Sequence, residues 1–123
     1  MANELDLSCS MRFIKGKMDV ELSASGRLTI TGTQYVKYNQ VITQAAEVAL
    51  EIGTGIGTLG YILVKNLDPT NFFEIRQETG AAFDCIKVPP GLFALFHAGS
   101  NMTAPFALAD TADCEAEIFI LEV

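Results

Sequence analysis

The sequence contains no tryptophan, one histidine, three cysteines, four prolines, and only 8 basic side chains against 15 acidic ones. The shortage of Lys and Arg leaves a formal charge of −7. It argues against a nucleic-acid partner, because such proteins gain affinity by setting cationic side chains opposite phosphates. No stretch approaches the roughly 18 uninterrupted apolar residues of a membrane helix, so no membrane partner is expected. Without Trp, the ring most often stacked on sugars in lectin-like sites is missing, and Tyr35, Tyr38 and Phe72 are the available substitutes. Cys9, Cys85 and Cys114 are odd in number and far apart, which predicts neither a disulfide framework nor a zinc knuckle. They are expected to be reduced thiols packed as small hydrophobes in a protein made in a cytosol. Acidic Glu4 and Asp6 stand where a secretory signal needs basic residues, so no export signal is expected, and the sequon at Asn101-Met102-Thr103 is read as accidental.

What is present is apolar. Half of the 123 residues are hydrophobic, eight of them Phe, which excludes disorder and predicts one folded domain over residues 1–123. The dominant period is two. Leu5, Leu7, Cys9, Met11 and Phe13 alternate with Asp6, Ser8, Ser10 and Arg12, a strand with one face on a core and the other in water. After Lys15-Gly16-Lys17 the pattern resumes at Met18, Val20, Leu22 and Ala24, as in a hairpin. Ser25-Gly26 reads as a second turn before Leu28 and Ile30, giving a three-stranded meander. Residues 34–43 are β-prone. Residues 44–52 admit two helical turns on propensity, but Val48, Leu50 and Ile52 alternate, and a strand is preferred.

Further strands are predicted over residues 61–65, 72–77, 83–88, 92–97, 105–109 and 117–123. Asn66-Leu67-Asp68-Pro69-Thr70-Asn71 is a strong turn signal, since Pro fixes φ and Asp or Asn caps the loop. Nine or ten short strands at this spacing indicate an all-β, antiparallel β-sandwich of jelly-roll type.

Three features suggest chemistry. Gly55-Ile56-Gly57-Thr58-Leu59-Gly60 matches the dinucleotide-binding pattern G-x-G-x-x-G, but that mechanism needs a helix to start within the motif, and a strand follows here. His97 lacks the neighbouring nucleophile or carboxylate that a catalytic base requires, and reads as a strand-end histidine. Asp110, Asp113, Glu115, Glu117 and Glu122 crowd the C-terminal third without calcium-loop spacing, and read as a solvated acidic face. No catalytic residue, cofactor or metal site is expected, and the chain is not read as an enzyme.

Two segments carry a family resemblance. Residues 7–16 with 20–26, and more specifically residues 60–75 (Gly-Tyr-Ile-Leu-Val-Lys-Asn-Leu-Asp-Pro-Thr-Asn-Phe-Phe-Glu-Ile), resemble small structural proteins of tailed bacteriophages. Similar proteins follow an N-L-D-x-T-N turn with a K-x-x-P-G-E-like corner and a buried "ALF" strand. Here these are Lys87-Val88-Pro89-Pro90-Gly91-Leu92 and Phe93-Ala94-Leu95-Phe96, with Leu92 where an acidic residue is common. The resemblance implies a virion component assembled in the bacterial cytoplasm. Such a protein is most simply a capsid decoration or cement protein, homo-oligomeric as a trimer or dimer and bound to the major capsid protein. A tail, fibre or baseplate adaptor is the alternative, and a non-viral ligand- or glycan-binding sandwich the third.

On that reading, contacts fall on apolar groups that a monomer leaves exposed. Phe72 and Phe73 point to opposite faces of a strand, Met102 and Phe106 flank a polar loop, and residues 1–5, ending in Leu5, can form an arm; ordinary sandwich packing is the competing role for each. Residues 1–57 carry 5 basic and 6 acidic side chains and residues 58–123 carry 3 and 9, so the nearly neutral half is expected to face the assembly.

Overall fold

The computed structural model describes residues 4–80 and 84–123, so residues 1–3 of the proposed arm and the start of a strand at Phe83 lie outside the described residues, while Leu5, the arm's last residue, opens the first strand. Ten strands, no helix and wholly antiparallel pairing make the described chain all-β. The strands expected in one domain fall into two compact units, residues 1–31 and 32–123.

The first unit is a two-stranded ribbon of β1 (Leu5–Lys15) and β2 (Met18–Leu28). Gly16 and Lys17 form its two-residue loop, the length that holds antiparallel strands in tight register. The predicted turn at Ser25-Gly26 does not occur. Both residues stay in the ladder, opposite Ser8 and Leu7, so β2 runs 11 residues and the expected third strand is absorbed into it up to Leu28.

The second unit holds β3 (Tyr35–Ile42), β4 (Val48–Ala49), β5 (Leu59–Asn66), β6 (Phe73–Arg76), β7 (Ile86–Val88), β8 (Phe93–His97), β9 (Phe106–Ala109) and β10 (Cys114–Glu122). One sheet runs β3-β10-β5-β8 and the other β4-β9-β6-β7. Numbered within this unit, the orders are 1-8-3-6 and 2-7-4-5, the strand arrangement of an eight-stranded jelly roll. Residues 44–46 form a bend, neither helix nor strand, and β4 keeps only two residues of the predicted alternation.

Alternation builds the core. In β10, Cys114, Ala116, Ile118 and Ile120 are buried; Ile118 lies in register between Tyr38 and Val64, and Ile120 between Val36 and Ile62. Phe73 and Ile75 of β6 and the small Ala107 and Ala109 of β9 belong to the same buried cluster. β10 begins earlier than predicted because Cys114 and Ala116 continue its inward period. The Pro89-Pro90-Gly91-Leu92 corner closes with the Leu92 amide donating to the Pro89 carbonyl at 3.1 Å. Gly91 takes φ 69°, as the third position of a type II turn demands.

Candidate functional site

Six of the exposed large hydrophobic side chains among the described residues lie on the ribbon: Met11, Phe13, Ile14, Met18, Val20 and Leu22. Register places Leu5 opposite Leu28, Cys9 opposite Ala24, Met11 opposite Leu22 and Phe13 opposite Val20, so the odd positions of β1 from Leu5 to Phe13 and the even positions of β2 share one apolar face, with Lys15 at its end beside Met18. The other face carries Asp6, Ser8, Ser10, Arg12 and Ile14. There Arg27 donates to Asp6 at 2.5 Å and Arg12 donates to Asp19 at 3.0 Å. These pairs are exposed and contribute little stability, but they satisfy the polar face. On the apolar face Met11 is 74% and Leu22 71% exposed, and Phe13, Met18 and Val20 are each more than half exposed. Within its own unit nothing among the described residues covers this face, and a two-stranded ribbon alone is marginally stable in water.

Of the contact residues proposed from sequence, Leu5 lies on this face and is half-buried. Phe73 is fully buried and belongs to the core, leaving Phe72 as the outward member of that pair. Phe72 is half-buried under the Lys87 ammonium, 4.0 Å from the ring centroid. Phe106 is half-buried opposite Arg76, at the other end of the β6–β9 pair from Phe73 and Ala109. Met102 is half-buried against the core and lines a cleft of about 220 Å³ with His97, Gly57 and Val123. Phe72, Phe106 and Met102 therefore sit on separate elements. Sequence reasoning missed Met11, Phe13, Met18, Val20 and Leu22, whose signal was the unbroken alternation already used to assign the strands.

The motifs with chemical associations have structural partners. Gly60 is the second residue of β5, and a Cβ there would collide with Val123 Cγ1 and meet the Leu121 carbonyl at 3.0 Å. Its glycine serves close packing beside the β5–β10 irregularity between Ile120 and Glu122. His97 ends β8, donates through Nδ1 to the Ala98 carbonyl at 2.8 Å, and meets Tyr61 edge-on at 4.7 Å. Glu117 lies between Lys37 and Lys65, at 3.5 Å from each. Asp113 accepts from the Gln44 amide, and Glu115 from the Asn39 side chain. No group of three metal-ligating side chains converges among the described residues. Tyr35 is exposed and edge-on to Phe119, whereas Tyr38 packs against the core, where burial, helped by Glu51, raises its phenol well above the usual range. Cys9 and Cys85 are exposed; Cys114 is buried, and burial raises its thiol, with Asp68 and Asp113 adding to the shift.

The Asn66–Asn71 segment is the most specific element of the resemblance, and its polar groups build a closed turn. Asn66 is 2% exposed; its amide donates to the Asn71 and Val88 carbonyls at 2.8 and 3.2 Å, and its oxygen accepts from the Asp68 amide at 2.9 Å. Asp68 then accepts from the Thr70 and Asn71 amides at 2.8 and 2.7 Å.

Three carboxylates hold loops and are pulled below their ordinary range by the donors around them. Glu47 accepts from the Thr79 hydroxyl, the Gly80 amide and Arg76, which also binds Asp84. Asp68 is lowered by the Thr70 and Asn71 amides, and Glu122 by the Gly57 and Thr33 amides. Each binds a proton less readily when folded than when unfolded. Their stabilisation is therefore complete above the unfolded carboxylate pKa of about 4 and is lost as pH falls through the lower folded values. Thermal melts should show the melting temperature dropping as pH is lowered below about 4; a flat or rising profile contradicts these contacts.

Compared with known protein families, with curated proteins and with solved structures, the chain matches none of them.

Proposed function

We propose that this protein is a structural component of a bacteriophage virion, a decoration protein that reinforces the capsid by contacts with the major capsid protein and with its own copies. The observation that carries this reading is the ribbon's apolar face, with Met11, Leu22 and Val20 each more than 60% exposed. Folded monomers rarely leave contiguous apolar surface of this kind uncovered, and such patches mark protein contacts. The phage assignment is supported by the resemblance over residues 60–75, whose turn is built from the side chains that define it. Jelly rolls serve in viral capsids, lectins and cupins, so the fold agrees with a virion role by analogy without selecting it.

The work of such a protein is mechanical. Added apolar contact across neighbouring subunits raises the free energy needed to separate them. A tail or baseplate adaptor would use the same surface at a different copy number. Quantitative mass spectrometry of the phage that carries this gene should find the protein at hundreds of copies per particle. A handful of copies moves it to the tail, and its absence from the particle overturns the virion reading.

A further inference from the structure

We infer that the apolar face of the ribbon is an interface between copies of this chain, closed by the same face of a second copy laid antiparallel across it. The inference deepens the assembly reading and rests on it. Charge selects the partner. Residues 4–31 carry four acidic side chains (Glu4, Asp6, Asp19, Glu21) and four basic ones (Arg12, Lys15, Lys17, Arg27), a net charge of zero. The remaining acidic and basic residues, 11 against 4, place the whole −7 in residues 32–123. Two copies of so acidic a chain repel elsewhere and meet without net repulsion at the ribbon.

Shape selects the same partner. The middle of the face is a bulky pair, Met11 and Leu22, beside a small pair, Cys9 and Ala24. A two-fold axis through the middle of the ribbon, crossing its strands, sets position 11 of one copy over position 9 of the other, bulk over gap. The next step sets Phe13 and Val20 over Leu7 and Gly26, again large over small on the β2 side. Facing layers that alternate in this way interdigitate at the normal sheet separation of about 10 Å. A ribbon of 11 residues is about 35 Å long and two strands wide, and covering two such faces removes on the order of 1,000 Å² from water. That is the lower bound for a specific interface and the size expected of a reversible dimer.

Sedimentation of the full chain tests this without any virion, so failure to self-associate and failure to bind a particle are read separately. The wild type should sediment at twice its 13.3 kDa chain mass. Met11→Lys should return it to 13.3 kDa, because a charge is placed at the centre of the apolar layer. Ser10→Lys, on the opposite face of the same strand, and Phe93→Lys, at the exposed first position of β8, should leave the dimer intact. A second readout does not depend on a variant's folding: alkylation of Cys9 in the wild type should slow as protein concentration rises, while that of exposed Cys85 should not. A wild type that stays at 13.3 kDa, a dimer indifferent to Met11→Lys, a dimer lost on Phe93→Lys, or Cys9 labelling independent of concentration overturns the inference.

Discussion

Phe73→Ala should cost about 3–5 kcal/mol of unfolding free energy, the range for truncating a buried aromatic side chain. Phe73 is fully buried in the cluster that includes Ile75, Val88, Ala109 and Ile118, so truncating it loses buried apolar contact and leaves a cavity in the core. A domain of this size has about 5–15 kcal/mol in total, so the variant should unfold at much lower denaturant or fail to accumulate. Phe72→Ala is the matched comparison. Its ring is half-buried and gives up the Lys87 contact, worth about 0.5–1 kcal/mol at an exposed site. Chemical denaturation of both variants checks the pair; equal losses would contradict the assignment of Phe73 to the core and Phe72 to the surface.

Asn66→Ala should cost about 3 kcal/mol, because Asn66 is the one buried polar side chain among the described residues. It removes the donor to two carbonyls, of Asn71 and Val88, and the acceptor for the Asp68 amide. Leaving a buried polar group unpaired costs about 1–3 kcal/mol, and the Val88 carbonyl is bonded within the buried layer. Asn66→Asp sharpens the test, because a carboxylate keeps the acceptor and the size but cannot donate. At neutral pH it sets negative charge against two carbonyl oxygens and should be no better than Ala. Unfolding midpoints near the wild-type value for either variant would show that Asn66 does not organise the turn.

Much of the jelly roll is legible in the sequence, because its strands cross a core on one side and alternate cleanly. The inward residues of β10 and the 66–71 turn follow from period two and from the capping chemistry of Asn and Asp. The ribbon was legible as strands but not as a site. Alternation at Leu7, Cys9, Met11 and Phe13 states which side chains share a face; it carries no mark of what covers that face. Ser25-Gly26 misled for a related reason, since both residues favour turns locally yet keep their places opposite Ser8 and Leu7 when the ladder continues through them. The contact residues expected around Phe72, Phe106 and Met102 were chosen for local sequence context, and the fold distributes them over separate elements. The division of charge is sharper at the boundary between the two units than at residue 57: residues 4–31, which hold the ribbon, are neutral, and the excess of acid begins after them.

The account stands on the claim that the ribbon's apolar face meets the same face of a second copy, and amide hydrogen exchange across a concentration series addresses it residue by residue. Exchange in residues 5–28 should slow as concentration rises, with β3 to β10 unchanged, because only the ribbon gains cover. Ribbon amides that exchange equally fast at every concentration, or slowing that falls instead on the exposed sheet face around Phe93 and Tyr35, would contradict it.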